Sequence, residues 1–311
     1  MSLITYDLMG NKRDKVQTAI ERLRAFEPED GYYLAFSGGK DSQCIYHLAE
    51  IAGVKFDAHY RITSVDPPEL VRFIKERYPD VHLDYPRDKD GKVITMWNLI
   101  PRKLMPPTRL VRYCCSELKE TGGKGRVTVT GVRWDESVNR KKNQGLVVIQ
   151  SNRAAKIAEK NSAAFIQTPK KGVILNMDNA AERRTVEQCF RTQKTLVNPI
   201  IDWLEEDVWE FLNEVAKVPH CCLYDQGYTR LGCIGCTMSN KRERELEAYP
   251  KHREAYLRAF GRMIEARKRY GKDKNWKTAL DVMDWYLEKK SFTEQFALDG
   301  QMDISEVASD E

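Results

Sequence analysis

Five short apolar runs, separated by stretches long enough for a helix, limit this chain's fold more than any other feature. They are Tyr32–Ser37, Phe56–Thr63, Val81–Tyr85, Arg126–Thr130 and Thr195–Ile201. After the first run, Asp41 to Ile51 has helical spacing through Cys44, Ile45, Leu48 and Ile51, and Gly53 marks the stop. Pro67–Arg77 reads as a second helix. Asp202–Val215 reads as a third, with Asp202 as its cap and acidic residues in its first turn. The polar stretch Asn139–Lys171 has no clear period and reads as an insertion or mobile loop. Alternation of this kind predicts an α/β fold: a doubly wound, mainly parallel five-stranded sheet with helices on both faces and a C-terminal helical appendage. The expected boundary divides residues 1–236 from a helical, partly basic extension over 237–311.

Composition narrows the class. The chain has 311 residues, 41% hydrophobic and 31% charged, as in soluble globular proteins. The start, MSLITYDLMGNKRDK, turns charged before an apolar leader could form, and no apolar run approaches the roughly 20 residues of a membrane span. A cytoplasmic location without membrane contact is the expectation. Eight cysteines in a chain this long point to metal or catalysis rather than a disulfide framework. The formal charge of +5 is mild, so only its distribution is informative.

The turn after the first strand carries the first site. Ser37-Gly38-Gly39-Lys40-Asp41-Ser42 lies where an open parallel sheet binds ligands, beyond a strand's carboxyl end. Glycines bring backbone N–H groups to close range, and the next helix starts with free N–H groups and a partial positive charge. Lys40 and the hydroxyls of Ser37 and Ser42 add donors. This is a cradle for phosphate or pyrophosphate, although a plain strand–helix turn also favours Gly, Asp and Ser. It lacks the GxxxxGK[ST] spacing of a Walker A loop. SGGKDS resembles the PP-loop of the ATP pyrophosphatase superfamily, in which the loop holds the phosphates of ATP or of a sulfonucleotide.

A second motif, TGVRWDESVNR, follows the fourth strand from Thr130 to Arg140. Gly131 gives a tight exit, and Arg133 and Arg140 supply planar donors that match phosphate or sulfate. Glu136 is suited to orient an arginine, and Ser137 adds a hydroxyl. The stretch resembles the GxRxxES…R signature of phosphoadenosine phosphosulfate (PAPS) reductase-like proteins. That resemblance implies nucleotide binding by Ser37 to Ser42, Arg133, Glu136, Ser137 and Arg140, with Lys40 and Asp41 in catalysis.

The cysteines form a third pattern. Cys114-Cys115 in RYCCSELK and Cys233/Cys236 in GCIGC offer four soft ligands, suited to zinc or to an iron–sulfur cluster. Spacing does not choose between them. A CC pair with a later CxxC is similar to the [4Fe-4S] ligand set of adenylylsulfate (APS) reductases and of DndC-type proteins, and so implies a cluster on Cys114, Cys115, Cys233 and Cys236, with zinc as the fallback. Cys221-Cys222 compete for these places, and isolated Cys44 and Cys189 suit a buried apolar role. Lys119 and Arg230 flank the cysteines and are placed to offset cluster charge, to touch the ligand, or to serve as plain surface charges.

Sulfonucleotide reductases also use a C-terminal nucleophilic cysteine, whereas no cysteine follows Cys236 and the tail after Ile304 reads SEVASDE. Helices are expected instead over Pro250–Tyr270, burying Tyr256, Leu257, Phe260, Met263 and Ile264, and over Lys277–Lys290, burying Ala279, Val282, Met283 and Tyr286. Lys and Arg outnumber Asp and Glu from Lys241 to Lys277, which suits either a nucleic acid such as tRNA or DNA, or a solvated face. The resemblance implies ATP and Mg²⁺ as ligands, adenylation of an acceptor, and a sulfur donor such as a cysteine desulfurase. Two alternatives stay open: PAPS or APS reduction through another cysteine, and a non-catalytic ATP- and nucleic-acid-binding subunit of a modification or defence complex.

Overall fold

The computed structural model describes residues 2–6, 10–150, 165–167, 172–175, 194–272 and 276–288. Ten strands run through it: β1 (Ile4–Tyr6), β2 (Lys12–Asp14), β3 (Tyr32–Ala35), β4 (Phe56–Arg61), β5 (His82–Asp84), β6 (Val127–Val129), β7 (Val147–Gln150), β8 (Phe165–Gln167), β9 (Gly172–Leu175) and β10 (Lys194–Val197). The helices are α1 (Lys15–Ala25), α2 (Lys40–Ala52), α3 (Pro68–Arg77), α4 (Met96–Lys103), α5 (Tyr113–Leu118), α6 (Val138–Asn143), α7 (Glu205–Glu210), α8 (Arg242–Ala248), α9 (Pro250–Arg269) and α10 (Ala279–Leu287). The chain divides into two compact units.

The first unit comprises Met1–Ile62, Asp66–Pro86 and Lys119–Gly232. It holds an eight-stranded sheet in the order β5-β4-β3-β6-β10-β7-β9-β8. All five expected strands form its parallel half, from β5 to β10. The sheet is larger than expected, because β7, β9 and β8 extend it antiparallel. β7 and β8 arise inside the stretch read as a loop; residues 151–164 and 168–171 of that stretch lie outside the described residues. Leu146 to Ile149 is an unbroken buried run, and a strand buried on both faces shows no alternation to detect. Helices cover both faces of the sheet. The chain runs outward from β3 through β4 to β5 and returns to β3's other side as β6, so a topological switch point lies between β3 and β6.

One helix start differs from expectation. α7 begins at Glu205 and widens into a π turn over Phe211–Ala216. Asp202 is not its cap: its carboxylate receives Arg22 at 2.7 Å and Arg13 at 2.7 Å. Asp207 caps instead, accepting the Leu204 N–H at 2.7 Å. Two arginines from elsewhere in the chain outbid the local backbone for Asp202, which sequence proximity does not reveal.

On β4, Asp57 accepts two hydrogen bonds from the Arg126 guanidinium, each 2.6 Å, and these bonds hold its pKa down at about 2. A carboxylate depressed in the folded state stabilises fully above its unfolded pKa and loses that contribution as pH falls toward the folded value. Asp57→Asn is therefore expected to cost about 1 kcal/mol at neutral pH, a figure discounted for solvent screening. The difference from the parent chain should fade between about pH 4 and pH 2 in denaturant titrations. A cost that persists undiminished at the acid end would disprove the ion-pair account.

The second unit comprises Thr63–Val65, Arg87–Leu118 and Cys233–Glu311, so residues 87–118 and the cysteine loop share a body with the C-terminal helices, unlike the boundary expected after residue 236. Its core joins Leu99 and Ile100 to Tyr256, Phe260, Met263, Ile264, Val282, Met283 and Tyr286. In α9 the buried positions follow the i, i+4, i+7, i+8 spacing of one helical face, Pro250 opens the first turn, and Arg267, Lys268 and Arg269 complement its carboxyl end. Thr278 caps α10 by accepting the Asp281 N–H. Lys289, Lys290 and the tail after Ile304 lie outside the described residues. Among the described residues no helix is long and apolar enough to cross a membrane.

Candidate functional site

The first candidate site is built at the switch point. β3 ends at Ala35, and α2 begins at Lys40 with Gly39, which has no side chain to cap it, in the cap position. Gly38 has φ of +71° and no room for a side chain: a Cβ there would stand 2.7 Å from Leu70 Cδ1 and 2.8 Å from Ile74. Ser37 Oγ meets Ser42 Oγ at 3.2 Å, and Ser42 Oγ donates to the Gly39 carbonyl at 2.8 Å, so the two hydroxyls brace the turn.

The motif after β6 reaches the same place. A Cβ on Gly131 would come within 2.8 Å of the Asp41 carbonyl oxygen, so only glycine lets this strand exit pass the start of α2. Arg133, 3% exposed, donates through Nε to Asp41 at 2.6 Å. Burial works against the Arg133 charge, but Asp41 and its other carboxylate neighbours outweigh that and hold its pKa up. Glu136 accepts from the Arg133 backbone N–H at 3.1 Å and pairs with Arg140 at 2.9 Å. Ser137 caps α6, its hydroxyl accepting the Arg140 N–H at 3.2 Å. Burial, joined by the like charges of Arg230 and Arg133, pulls the Arg140 pKa down. A buried guanidinium beside a half-buried one is the electrostatic setting that an incoming oxyanion relieves.

Lys40 behaves differently from a free phosphate ligand. It is 4% exposed; its Nζ donates to the Thr229 carbonyl at 2.8 Å and lies 3.2 Å from Glu205. Its backbone N–H donates to the Tyr224 hydroxyl at 2.9 Å. Tyr224, Thr229 and Glu205 were not legible as partners of this turn. The one available signal is that Tyr224 and Thr229 sit in LYDQGYTR, just before the second cysteine pair.

The second candidate site belongs to the other unit. Cys114, Cys115, Cys233 and Cys236 all lie in it, whereas Cys221 and Cys222 lie in the sheet unit. A hydrogen bond with Cys115, then burial, then the charges of Cys115, Cys233 and Cys236 push the Cys114 thiol up. Thr63 Oγ1 stands 3.6 Å from Cys233 Sγ, and the Ile234 N–H donates to the Val65 carbonyl at 2.8 Å, fixing the CxxC loop. Among the described residues no three Cys, His, Asp or Glu side chains close on a common metal position. Cys114 feels the charges of the other three thiols, and the donor chemistry of the four suits a soft metal centre once all are deprotonated. Cys44 is fully buried as expected, Cys221 is buried with its thiol pushed up to about 11 mainly by burial, and Cys189 lies outside the described residues.

Comparison with known proteins places the chain in a family. The family model for the phosphoadenosine phosphosulfate reductase domain matches residues 31–239. An uncharacterized protein of Methanocaldococcus jannaschii is 25% identical over 78% of this chain and 48% of its own length. Shorter segments match a probable FAD synthase of Caenorhabditis elegans, 41% identical over 19% of this chain and 13% of that protein. The adenosine 5'-phosphosulfate reductase of Allochromatium vinosum is 44% identical over 13% of this chain and 16% of that protein. The chain thus spans about half the length, or less, of these relatives. A crystal structure of PAPS reductase from Candida auris, a phosphate complex, aligns with a TM-score of 0.41 at 15% identity, covering 71% of this chain and 90% of that one. With the family model covering most of the chain, from the β3 turn through both cysteine pairs, this protein belongs to the phosphoadenosine phosphosulfate reductase family.

Proposed function

We propose that this chain is an ATP pyrophosphatase that adenylates an acceptor for sulfur transfer. The observation that carries the reading is the turn from Ser37 to Ser42, braced by its own hydroxyls, with the start of α2, whose cap residue Gly39 has no side chain, behind it. Such a start holds phosphate through backbone N–H groups and the helix dipole. Arg133 and Arg140 supply positive charge at the same sheet edge. The acceptor's nucleophilic atom forms a bond to the α-phosphorus of ATP, and the bond to pyrophosphate breaks in line. A sulfur nucleophile then bonds to the activated acceptor carbon or phosphorus, and AMP leaves. Such chemistry needs positioning and charge neutralisation, with Mg²⁺ sharing the latter. In this reading Lys40, held by the Thr229 carbonyl and Glu205, positions the turn and turns its remaining ammonium N–H toward the phosphates.

Cys114, Cys115, Cys233 and Cys236 would hold a [4Fe-4S] cluster, with zinc the fallback for the same four thiolates. A cluster there supplies sulfur-binding iron and one-electron chemistry. A cysteine desulfurase suits the role of sulfur source.

A second reading, reduction of PAPS or APS, is favoured by exposed Cys222 in the same unit as the loop. A thiolate is the nucleophile that attack on sulfur requires. Thermal shift of anaerobic protein with ATP–Mg²⁺, PAPS or APS separates the two. A ligand at about a hundred times its Kd adds about 2.7 kcal/mol, several degrees of midpoint. Stabilisation by ATP alone supports adenylation. Stabilisation by PAPS or APS alone overturns it and makes Cys222 the next residue to replace.

A further inference from the structure

The unit containing the cysteine loop has a pocket of about 220 Å³. Arg109, Ser239, Asn240, Arg242, Trp285 and Tyr286 line it, with Glu243 and Glu288 also in the wall. Two guanidiniums are fixed there. Arg109 donates to the Thr237 carbonyl at 3.1 Å and to Asn240 Oδ1 at 2.6 Å. Arg242 lies over the Tyr286 ring, 4.9 Å from its centroid, and its buried Nε has no hydrogen-bond partner among the described residues. Leaving a buried donor unmatched is costly, and in a native fold it asks for an acceptor supplied from outside. Tyr286 in turn donates to the Gly235 carbonyl at 2.6 Å, so one wall of the pocket is bonded to the CxxC loop.

A second, separate feature of the same unit points to a polyanion. Lys251, Arg258, Arg262 and Arg269 are exposed on α9 at separations of seven, four and seven, which places them on one helical face over about 27 Å, where they outnumber Glu254, 3.6 Å from Arg258, and Glu265. Apolar and aromatic surface accompanies the charge: Tyr270 at the end of α9 is 68% exposed, Leu110 beside Arg109 is 58% exposed, and Met238 beside Ser239 is 53% exposed.

A lone inorganic anion would use the arginines but neither the indole nor the carboxylates. A nucleotide uses all of them: phosphate on guanidinium, base face on Trp285, and base N–H groups donating to Glu243 and Glu288. Such a base must be out of a duplex to be reached. We propose that this pocket takes one unstacked nucleotide of a single-stranded nucleic acid, whose phosphates farther along the strand bind the Lys251–Arg269 face. This deepens the reading above by naming the acceptor class and rests on it for the purpose of binding, although the binding itself needs no ATP.

The test is fluorescence polarisation of the full, anaerobically purified chain with a labelled mixed-sequence single strand and its duplex, from about 50 to about 200 mM KCl. The single strand is expected to bind at least about ten-fold tighter than the duplex. Arg109→Gln, at an exposed residue, and Trp285→Ala should each weaken it about 5- to 100-fold, with Trp285→Phe restoring most of the affinity. Arg258→Ala with Arg269→Ala should lower the slope of log affinity against log salt by about 1.4. Absence of binding below about 100 μM at the lowest salt overturns the inference, as does equal binding of duplex. So does an affinity unchanged in both the Arg109→Gln and the Trp285→Ala folded variants. An ATP shift without strand binding sinks this inference alone; strand binding without an ATP shift sinks the adenylation reading alone.

Discussion

Gly38→Ala is expected to destabilise the sheet unit by about 2–5 kcal/mol and to abolish the nucleotide-induced thermal shift. Two costs add. A φ of +71° is open to glycine and strained by about 1–2 kcal/mol for alanine. The new Cβ would also stand 2.7 Å from Leu70 Cδ1 and 2.8 Å from two Ile74 atoms, and both side chains are buried with little room to yield. Overpacking of this sort typically costs about 1–3 kcal/mol. Gly53→Ala provides the internal comparison, since Gly53 has φ of +67° and nothing within 4 Å of the added carbon. It should cost only the backbone term, about 1–2 kcal/mol, and leave nucleotide binding intact. Chemical denaturation of both variants measures the difference. Equal losses would mean that the turn relaxes away from α3, and that its shape is not held by Leu70 and Ile74.

The second large effect is on metal content. Serine at Cys114, Cys115, Cys233 or Cys236 is expected to reduce iron in anaerobically purified protein from about four atoms per chain to almost none, together with its visible absorption. Cys222→Ser should leave both unchanged, because Cys222 is exposed and belongs to the sheet unit. Neighbouring thiols resist joint ionisation, as the raised Cys114 shows, and a bound cation removes that penalty. The thermal midpoint should fall with the metal, since its binding free energy is folding free energy for this unit. One zinc per chain without colour would replace the cluster while keeping the four-thiolate site. Full iron in a Cys233→Ser variant would refute the ligand set.

Much of the sheet unit was legible because its signals are local. The parallel strands are short apolar runs, the glycines mark turns where a Cβ cannot fit, and Gly53 closes α2 in the left-handed conformation. Motif spacing located the Ser37–Ser42 turn and the Arg133–Arg140 stretch, and the fold brings Asp41 and Arg133 within 2.6 Å across the switch point. The antiparallel strands escaped notice because a run such as Leu146–Ile149, buried on every side, has no period.

By itself, the sequence determined which residues are chemically equipped: glycines and hydroxyls for a phosphate turn, arginines for oxyanions, and four cysteines for a soft metal. Only the tertiary structure decided how they are used. Lys40 reads in SGGKDS as a phosphate donor alone, yet its ammonium group also holds the Thr229 carbonyl and Glu205. Asp202 looks like a helix cap, yet Arg13 and Arg22 take its carboxylate. The CxxC pair looks like the end of the first domain, yet it belongs to the body of the C-terminal helices, where Tyr256 and Tyr286 donate to the carbonyls of Ile234 and Gly235. Each of these outcomes turns on a partner more than 20 residues away in sequence. A charge or a hydrogen-bond donor binds the nearest acceptor in space, which local pattern does not encode.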